Sequence, residues 1–597
     1  MPTTIEVNKQ SVEALLGSGK SKPFVIPEYQ RPYAWTDEQV ETLFEDLWDF
    51  TATSGGTERE SSYFLGSVVS YENEDGEQEI IDGQQRITSL FLLLRAIYTK
   101  LVATPASERT AEANNFIGKI EPTIWRTNKL TGTVDFKNIL LTSRVVNNEG
   151  NEILRSILET GKADEDAKDN YSKNYRHFQE LFDKHSTENP LMVYQFIYAL
   201  LNQAILLPIT ADTQDTALTI FSTLNDRGLP LSDADIFKAK IYNQLAPDDK
   251  KAFIDRWKDL DEQSTDANES IQQLFYYNMF YYRALDKDTK TTTPGVRKYY
   301  AANKFERLYK PELLDTLFVI LNLWKVVNKG EELEDEAWSK NIKIRQTLDI
   351  LTSYPNEYWK YPVVIYYVCY RNEENFETRF ARFLNKLLME LMTKYLMIPT
   401  INAVKPDILK LNSAIVASDM PTFEFKTIDM TQLEPYIQNP NRNVVRMLLK
   451  TLAYEHQDDL LPAKWEIEHI FPQKWQTNYF PDEPDATIKE KIEHIGNKLP
   501  FEKKLNIVAG NGYFGKKKKE YIASKIVITK AMGTSDVMDW NLESITKRDI
   551  RVSDEVIEIM KRWNDEYLAV PASEGKAEEP SEEELAQIEK FKKNGWI

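Results

Sequence analysis

The chain has 597 residues, 42% of them hydrophobic and 28% charged, which excludes wholesale disorder and is too long for one hydrophobic core; three or four domains are expected at roughly 100–200 residues each. The net charge of −19, from 74 basic and 93 acidic residues, excludes a uniformly basic nucleic-acid binder, so any DNA contact must come from a local basic patch. The start MPTTIEVNKQ lacks a basic stretch followed by an apolar run, so no signal peptide is expected.

In chain order, residues 1–245 mix strand and helix signals. Thr36 caps the helix DEQVETLFEDL, with Gln39 three residues on to close a capping box and Val40, Leu43, Phe44 and Leu47 on one apolar face. YFLGSVVSY and EIID alternate as strands around the turn NEDGEQ, which predicts a hairpin. RITSLFLLLRAIYTKL carries Ile87, Leu90, Phe91, Leu94 and Ile97 at helical spacing. The uncharged run from Asn189 to Thr210 is broken by Gln195, Asn202, Gln203 and Pro208, so it reads as a buried helix followed by the strand AILLPIT and not as a membrane span. TALTIFSTLN reads as a helix stopped at NDRG, and Ser232 opens the next one with Asp235 three residues on.

Residues 246–440 are helical in character, with aromatic stretches such as LFYYNMFYYRAL and YPVVIYYVCYR that read as core. The one cysteine, Cys369, rules out an internal disulfide and a Cys-based zinc site and suits a reducing cytoplasm, which is the expected location. Residues 441–530 hold most of the local chemistry. Residues 531–597 form a C-terminal helical extension with an acidic linker, PASEGKAEEPSEEE, and a last amphipathic stretch. The expected fold class is therefore α+β and multidomain, with a mixed α/β N-terminal part, a helical middle and a ββα segment near the C-terminus.

Three N-terminal motifs carry chemistry: IPEYQRPYAW, IIDGQQR and FSTLNDRGLPLSDADIFK. DGQQR sits between a strand end and a helix start, where free N–H groups and the positive end of the helix dipole favour phosphate. Gly83 allows close backbone approach, Gln84 and Gln85 offer amides, Arg86 offers a two-donor grip, and Asp82 can bind a metal or orient water. Tyr29, Gln30, Arg31, Tyr33 and Trp35 form a polar–aromatic cluster of the kind that stacks on bases or clamps a backbone. Asn225 and Arg227 add a polar pair beside a turn. There is no Walker A sequence.

Three of the five histidines fall between residues 456 and 494, in KWEIEHIFPQKW, EHIGNKLPFEKKLN and the loop before them, and NGYFGKKKKEYIASK follows. A strand ending at Glu468-His469, a second strand from near Asn497 and a helix from about Gly515 are expected. A neutral imidazole can take a proton from water, and oxygen donors such as Glu468 and an Asn carbonyl suit Mg²⁺ or Mn²⁺. From 498 to 525 there are eight Lys and two Glu, a local +6 (8 − 2) suited to the phosphate backbone.

Taken in order, EHIFPQ, IGNKLP, LN and NGYFGKKK resemble the HNH, or ββα-metal, nuclease domain of the GmrSD-like modification-dependent (type IV) restriction enzymes. The three N-terminal motifs resemble the ParB-like N-terminal domain of the same family, and together the resemblance covers roughly 20–245 and 455–525. It implies His469 as general base, Glu468 as metal ligand, Asn497 holding the base loop, Asn506 as the second metal-side residue with Asn511 as its rival, and Lys516 or Lys517 on phosphate. His494 is the alternative base. GNKL departs from the family's GNL followed by apolar or small residues. The resemblance also implies nucleotide binding and hydrolysis at Asp82, Gly83, Gln84, Gln85 and Arg86 with Asn225 and Arg227, the NTP being GTP, ATP or UTP. It implies sensing of modified double-stranded DNA, glucosylated or phosphorothioate in relatives. A homodimer is expected where both strands are cut. The other readings are a nucleotide-dependent DNA-binding regulator without cleavage and an RNA-directed nuclease toxin.

Overall fold

A computed structural model describes residues 6–54, 61–128, 131–145, 148–214, 216–218, 220, 233–400, 402–425, 429–476 and 483–569. The chain divides into two compact units, Met1–Asp259 and Leu260–Ile597. It is α+β, and among the described residues no helix is long and apolar enough to cross a membrane. The NDRG segment with Asn225 and Arg227, and the acidic stretch beyond residue 569, lie outside the described residues.

The first unit is built on a mixed seven-stranded sheet. In chain order it runs β1 (Glu6–Val7), β2 (Gln10–Ser11), α1 (Val12–Ser18), β3 (Phe24–Ile26), α2 (Asp37–Ser54), β4 (Tyr63–Glu72), β5 (Gln78–Asp82) and α3 (Gln84–Ala103). It continues with α4 (Ala111–Ile124), β6 (Trp125–Thr127), β7 (Val134–Ile139), β8 (Leu141–Ser143), α5 (Asn148–Thr160), α6 (Asn170–Glu188) and, after a further short helix and a π turn, β9 (Ala204–Ala211). The sheet order is β1-β9-β4-β5-β3-β8, with β2 also on β9. β4 and β5 form the expected antiparallel hairpin, and β9 joins β4 in parallel. At the hairpin turn Asn73 Oδ1 accepts from the N–H groups of Asp75 and Glu77. At the start of α2, Thr36 donates from N and Oγ1 to Gln39 Oε1 at 2.8 and 2.9 Å, the reciprocal half of a capping box.

One face of the sheet buries Phe24, Ile26, Leu65, Val68 and Ile80 against Ile87, Leu90, Phe91 and Leu94 of α3, with α2, α4 and α6 around it. α3 is buried over most of its girth, which is why the apolar residues of LFLLL run without a polar stripe. Full burial of each such side chain contributes about 1.5–3 kcal/mol, so α3 anchors the unit and fixes where its N-terminus, the DGQQR junction, must lie.

In the second unit the aromatic stretches are core, as expected: Phe275, Tyr277 and Phe280 of the helix Ile271–Leu285 are buried, and the Phe280 and Tyr361 rings stack. The helix Phe376–Met397 packs against the long helix Leu542–Leu568, and Lys386 Nζ donates to Asn564 Oδ1 at 2.8 Å. The antiparallel pair β10 (Trp465–His469) and β11 (Lys498–Glu502) sits beside two helices, Lys503–Ala509 and Phe514–Ile522. Their shared core holds Ile470, Phe471, Leu499, Phe501, Phe514 and Tyr521.

Candidate functional sites

The DGQQR junction follows β5 directly. Asp82 ends the strand, Gly83 takes φ +89°, and α3 begins at Gln84. A Cβ at Gly83 would lie 3.1 Å from Val68 Cγ2 and 3.2 Å from the Ser67 carbonyl, so both the backbone angle and the closeness of β4 call for glycine. Arg86 donates to the Ser67 carbonyl at 3.2 Å and lies over Gly66, where a Cβ would come within 2.9 Å of its Nη1. Burial pushes the Asp82 carboxyl up and the Arg86 guanidinium down, each opposed by the charge of the other.

The two glutamines of the motif do something the sequence did not indicate. Gln84 is buried and donates to Gln30 Oε1 at 3.0 Å, while Gln30 donates to the Ile81 carbonyl at 3.0 Å. Gln85 accepts from the N–H groups of Ala34 and Trp35 at 2.8 and 3.3 Å and donates to the Pro32 carbonyl at 3.1 Å. The first and second motifs are thus stapled together by their amides. The expectation that the YQRPYAW cluster stacks on bases is corrected at three of its five positions. Tyr29, Gln30 and Tyr33 are buried; Tyr33 pairs with Ser89 at 2.6 Å and stacks on Tyr171, and Tyr29 reaches Glu79. Trp35 is half-buried against the core, and Arg31 is exposed, 3.6 Å from Asp235. Glu28, Tyr29, Tyr71, Glu79, Arg144 and Tyr242 line a cavity of about 580 Å³ in this unit.

In the second unit His469 ends β10 with its side chain 16% exposed. Burial draws its imidazole below the ordinary value, opposed by Glu493 and reinforced by Lys498 and Lys517. Its Nε2 lies 3.4 Å from Gln473 Nε2 and 3.5 Å from Glu493 Oε1. Asn497 is fully buried; its Oδ1 accepts from Phe471 N at 2.7 Å and its Nδ2 donates to the carbonyls of Phe471 and Ile492 at 3.1 and 3.0 Å. It clamps the chain as it leaves β10. Asn511 does the same one turn further on, exchanging hydrogen bonds with Lys474 at 2.6 and 3.2 Å.

The comparisons with known proteins come down on one family. The N-terminal domain model of the GmrSD restriction endonucleases matches residues 12–242, and the C-terminal domain model of the same enzymes matches residues 427–552. The two matches take in more than half of the chain. The chain belongs to the GmrSD restriction endonuclease family. No curated protein matches it. A restriction endonuclease acts on DNA, and the site residues can be weighed against that task.

The GmrSD C-terminal match runs on into the long helix Leu542–Leu568, and the geometry says why. Arg548, buried, donates to the carbonyls of Ile495, Gly496 and Lys498 at 3.2, 2.9 and 2.8 Å. Asp549, with a fully buried side chain, accepts from Gly496 N at 2.7 Å and pairs with His494 Nδ1 at 2.8 Å and Lys491 Nζ at 3.0 Å. His494, the alternative base, is therefore tied to a buried carboxylate. A Cβ on Gly496 would fall 2.3 Å from the Ile545 carbonyl, so that glycine of IGNKLP is required by the helix crossing it. No local pattern marks Arg548 or Asp549, because their partners are some fifty residues away.

One expectation on the GmrSD nuclease segment is corrected. Lys517 is 2% exposed, bonded to Glu468 Oε1 at 2.7 Å and to the His469 carbonyl, and burial lowers its pKa; phosphate cannot reach it. Lys504, Lys516 and Lys519 are exposed. Glu468 is 4% exposed and its Oε1 also accepts from Tyr521 at 2.7 Å. An ammonium and a phenol thus share its Oε1, and no group of three or more His, Cys, Asp and Glu able to hold a metal exists among the described residues. Asn506 is half-buried on the helix Lys503–Ala509, which packs on β10.

Proposed function

We propose that this chain is a nucleotide-dependent DNA endonuclease that restricts modified foreign DNA, such as that of phage, with an HNH-type site around His469 doing the cutting. The observation that carries the reading is His469 itself. It stands at a strand end, partly open, neutral near pH 7 because burial lowers its pKa, and set in a loop fastened by Asn497. Such an imidazole can take the proton of a water attacking phosphorus; the P–O3′ bond breaks and the 3′ oxygen leaves. Lys504, Lys516 and Lys519 hold the backbone, and the acidic remainder of the chain discourages binding elsewhere.

The family resemblance supplies the expectation of Mg²⁺ or Mn²⁺. The requirement itself is read by chelation and add-back. At the other unit, an NTP at the DGQQR junction is supported by the N-terminus of the 20-residue helix α3, which no side chain caps, the left-handed Gly83, and the charged groups Asp82 and Arg86. The family resemblance assigns Asn225 and Arg227 of the third motif to the same nucleotide. Gln84 and Gln85 act by stapling that junction to the first motif, which makes the motif pair one rigid part of a sensor.

His469→Ala tests the cutting role: cleavage falls by at least about 100-fold, the range for loss of a general base, while nucleotide hydrolysis is retained. Cleavage that survives the change removes His469 as the base. Arg86→Ala tests the nucleotide role: turnover is lost, and unchanged turnover places the nucleotide elsewhere.

A further inference from the structure

The register of the β10–β11 pair sets His469 directly across from Lys498, so the two side chains leave the same face of the sheet. Glu493 brings its carboxylate between them. Its Oε1 is 3.5 Å from His469 Nε2 and its Oε2 is 2.9 Å from Lys498 Nζ. Lys498 is 4% exposed and donates also to the backbone carbonyl of Glu493 at 2.6 Å. One buried ammonium thus grips Glu493 at both its main chain and its carboxylate.

We propose that Glu493 is a positioning residue for His469, held in place by Lys498, and that the pair fixes which imidazole nitrogen carries the proton. The proposal rests on the reading of His469 as the base. A neutral imidazole has one N–H and one lone pair, and either nitrogen can carry the hydrogen. A carboxylate accepts and never donates, so the nitrogen facing Glu493 is the protonated one. Gln473 presents its amide nitrogen 3.4 Å from the same Nε2; with Nε2 protonated the amide turns over and offers its oxygen instead, so it follows the tautomer that Glu493 sets. With Nε2–H turned to Glu493, the Nδ1 lone pair remains for the attacking water. Among the described residues Nδ1 makes no hydrogen bond. The charged groups around the ring are Glu493, Lys498 and Lys517, and Glu493 is the acceptor among them.

The test uses the full chain and compares Glu493→Gln, Glu493→Asp, Lys498→Leu, the Glu493→Gln/Lys498→Leu double variant and His469→Ala in steady-state DNA cleavage. Glu493→Gln is expected to lower kcat about tenfold with KM for DNA unchanged, a smaller loss than for a fully buried triad carboxylate because Glu493 is half-exposed. Glu493→Asp recovers part of the rate. Lys498→Leu lowers kcat less, and the double variant is no slower than Glu493→Gln, since both act through one carboxylate. ¹⁵N spectra of the histidine-labelled protein show the Nε2–H tautomer at His469, identified by its absence in His469→Ala, and a mixed tautomer in Glu493→Gln. Wild-type kcat and an unchanged tautomer in Glu493→Gln, with His469→Ala inactive, overturn the proposal alone. Cleavage that persists in His469→Ala overturns the reading beneath it as well.

Discussion

The carboxylate of Glu468 and the imidazole of His469 are neighbours in sequence and opposites in environment. Glu468 points into the core, where Lys517 and Tyr521 satisfy it; His469 points to the partly open face. Removing the ammonium leaves a buried charge with one remaining donor, so Lys517→Met should destabilise the second unit by about 3–5 kcal/mol, read as a fall in denaturation midpoint. A Lys517→Met protein as stable as the parent would contradict the buried pair. The pH dependence of cleavage follows from His469. Its folded pKa lies below the free imidazole value of about 6.5, so the base stays neutral as pH falls past that value and protonates only lower down. The acid limb of kcat against pH should sit below about 6.5; a limb at or above it would contradict the lowered imidazole. Sequence pattern puts His469 at the end of one strand and Asn497 near the start of the next, where the structure has them. It misread the exposure of Lys517, Tyr29, Gln30 and Tyr33 because a polar side chain looks the same in sequence whether it faces solvent or a buried partner fifty residues away.

Among the elements, those with a long local period were legible. The β4–β5 hairpin, α2 with its Thr36–Gln39 cap, α3, β10, β11 and the helix Phe514–Ile522 all fall where alternation and helical spacing put them. The short strands β1, β2, β3 and β8 were not seen, since two or three residues cannot display an alternation; pairing across the sheet makes them strands. Nor was the helix Lys503–Ala509 seen, whose exposed Ile507 and Val508 obscure its amphipathic pattern. The clamp of the long helix Leu542–Leu568 on residues 494–498 is a purely tertiary feature. Asp549→Ala leaves Gly496 N, His494 and Lys491 without their buried acceptor. The expected result is a loss of about 3 kcal/mol and a drop in cleavage, although no atom of Asp549 is proposed to touch DNA. Full activity and stability in that variant would mean that the clamp does not position the segment carrying Glu493 and Asn497.

At the scale of the whole molecule, a chain of net charge −19 carries the lysines proposed to meet DNA on one short segment of the second unit. DNA affinity should therefore fall steeply with salt, and replacing Lys504, Lys516 or Lys519 by alanine should flatten the slope by about one unit each, evenly across sequences. A salt slope that none of the three changes alters would move the DNA face elsewhere. The two units also divide the chemistry: the GmrSD N-terminal match lies within Met1–Asp259 and the C-terminal match within Leu260–Ile597. Nucleotide turnover and cutting should accordingly separate, with Arg86→Ala losing the first and His469→Ala losing the second. The measurement that tests the account most directly is a cleavage assay in Mg²⁺ or Mn²⁺, with and without GTP, ATP or UTP, on unmodified, phosphorothioate and glucosylated DNA, with His469→Ala alongside. The account predicts cutting that needs His469 and a nucleotide and prefers one modified DNA over the unmodified one. Cutting that ignores modification and nucleotide, or that persists in His469→Ala, would contradict it.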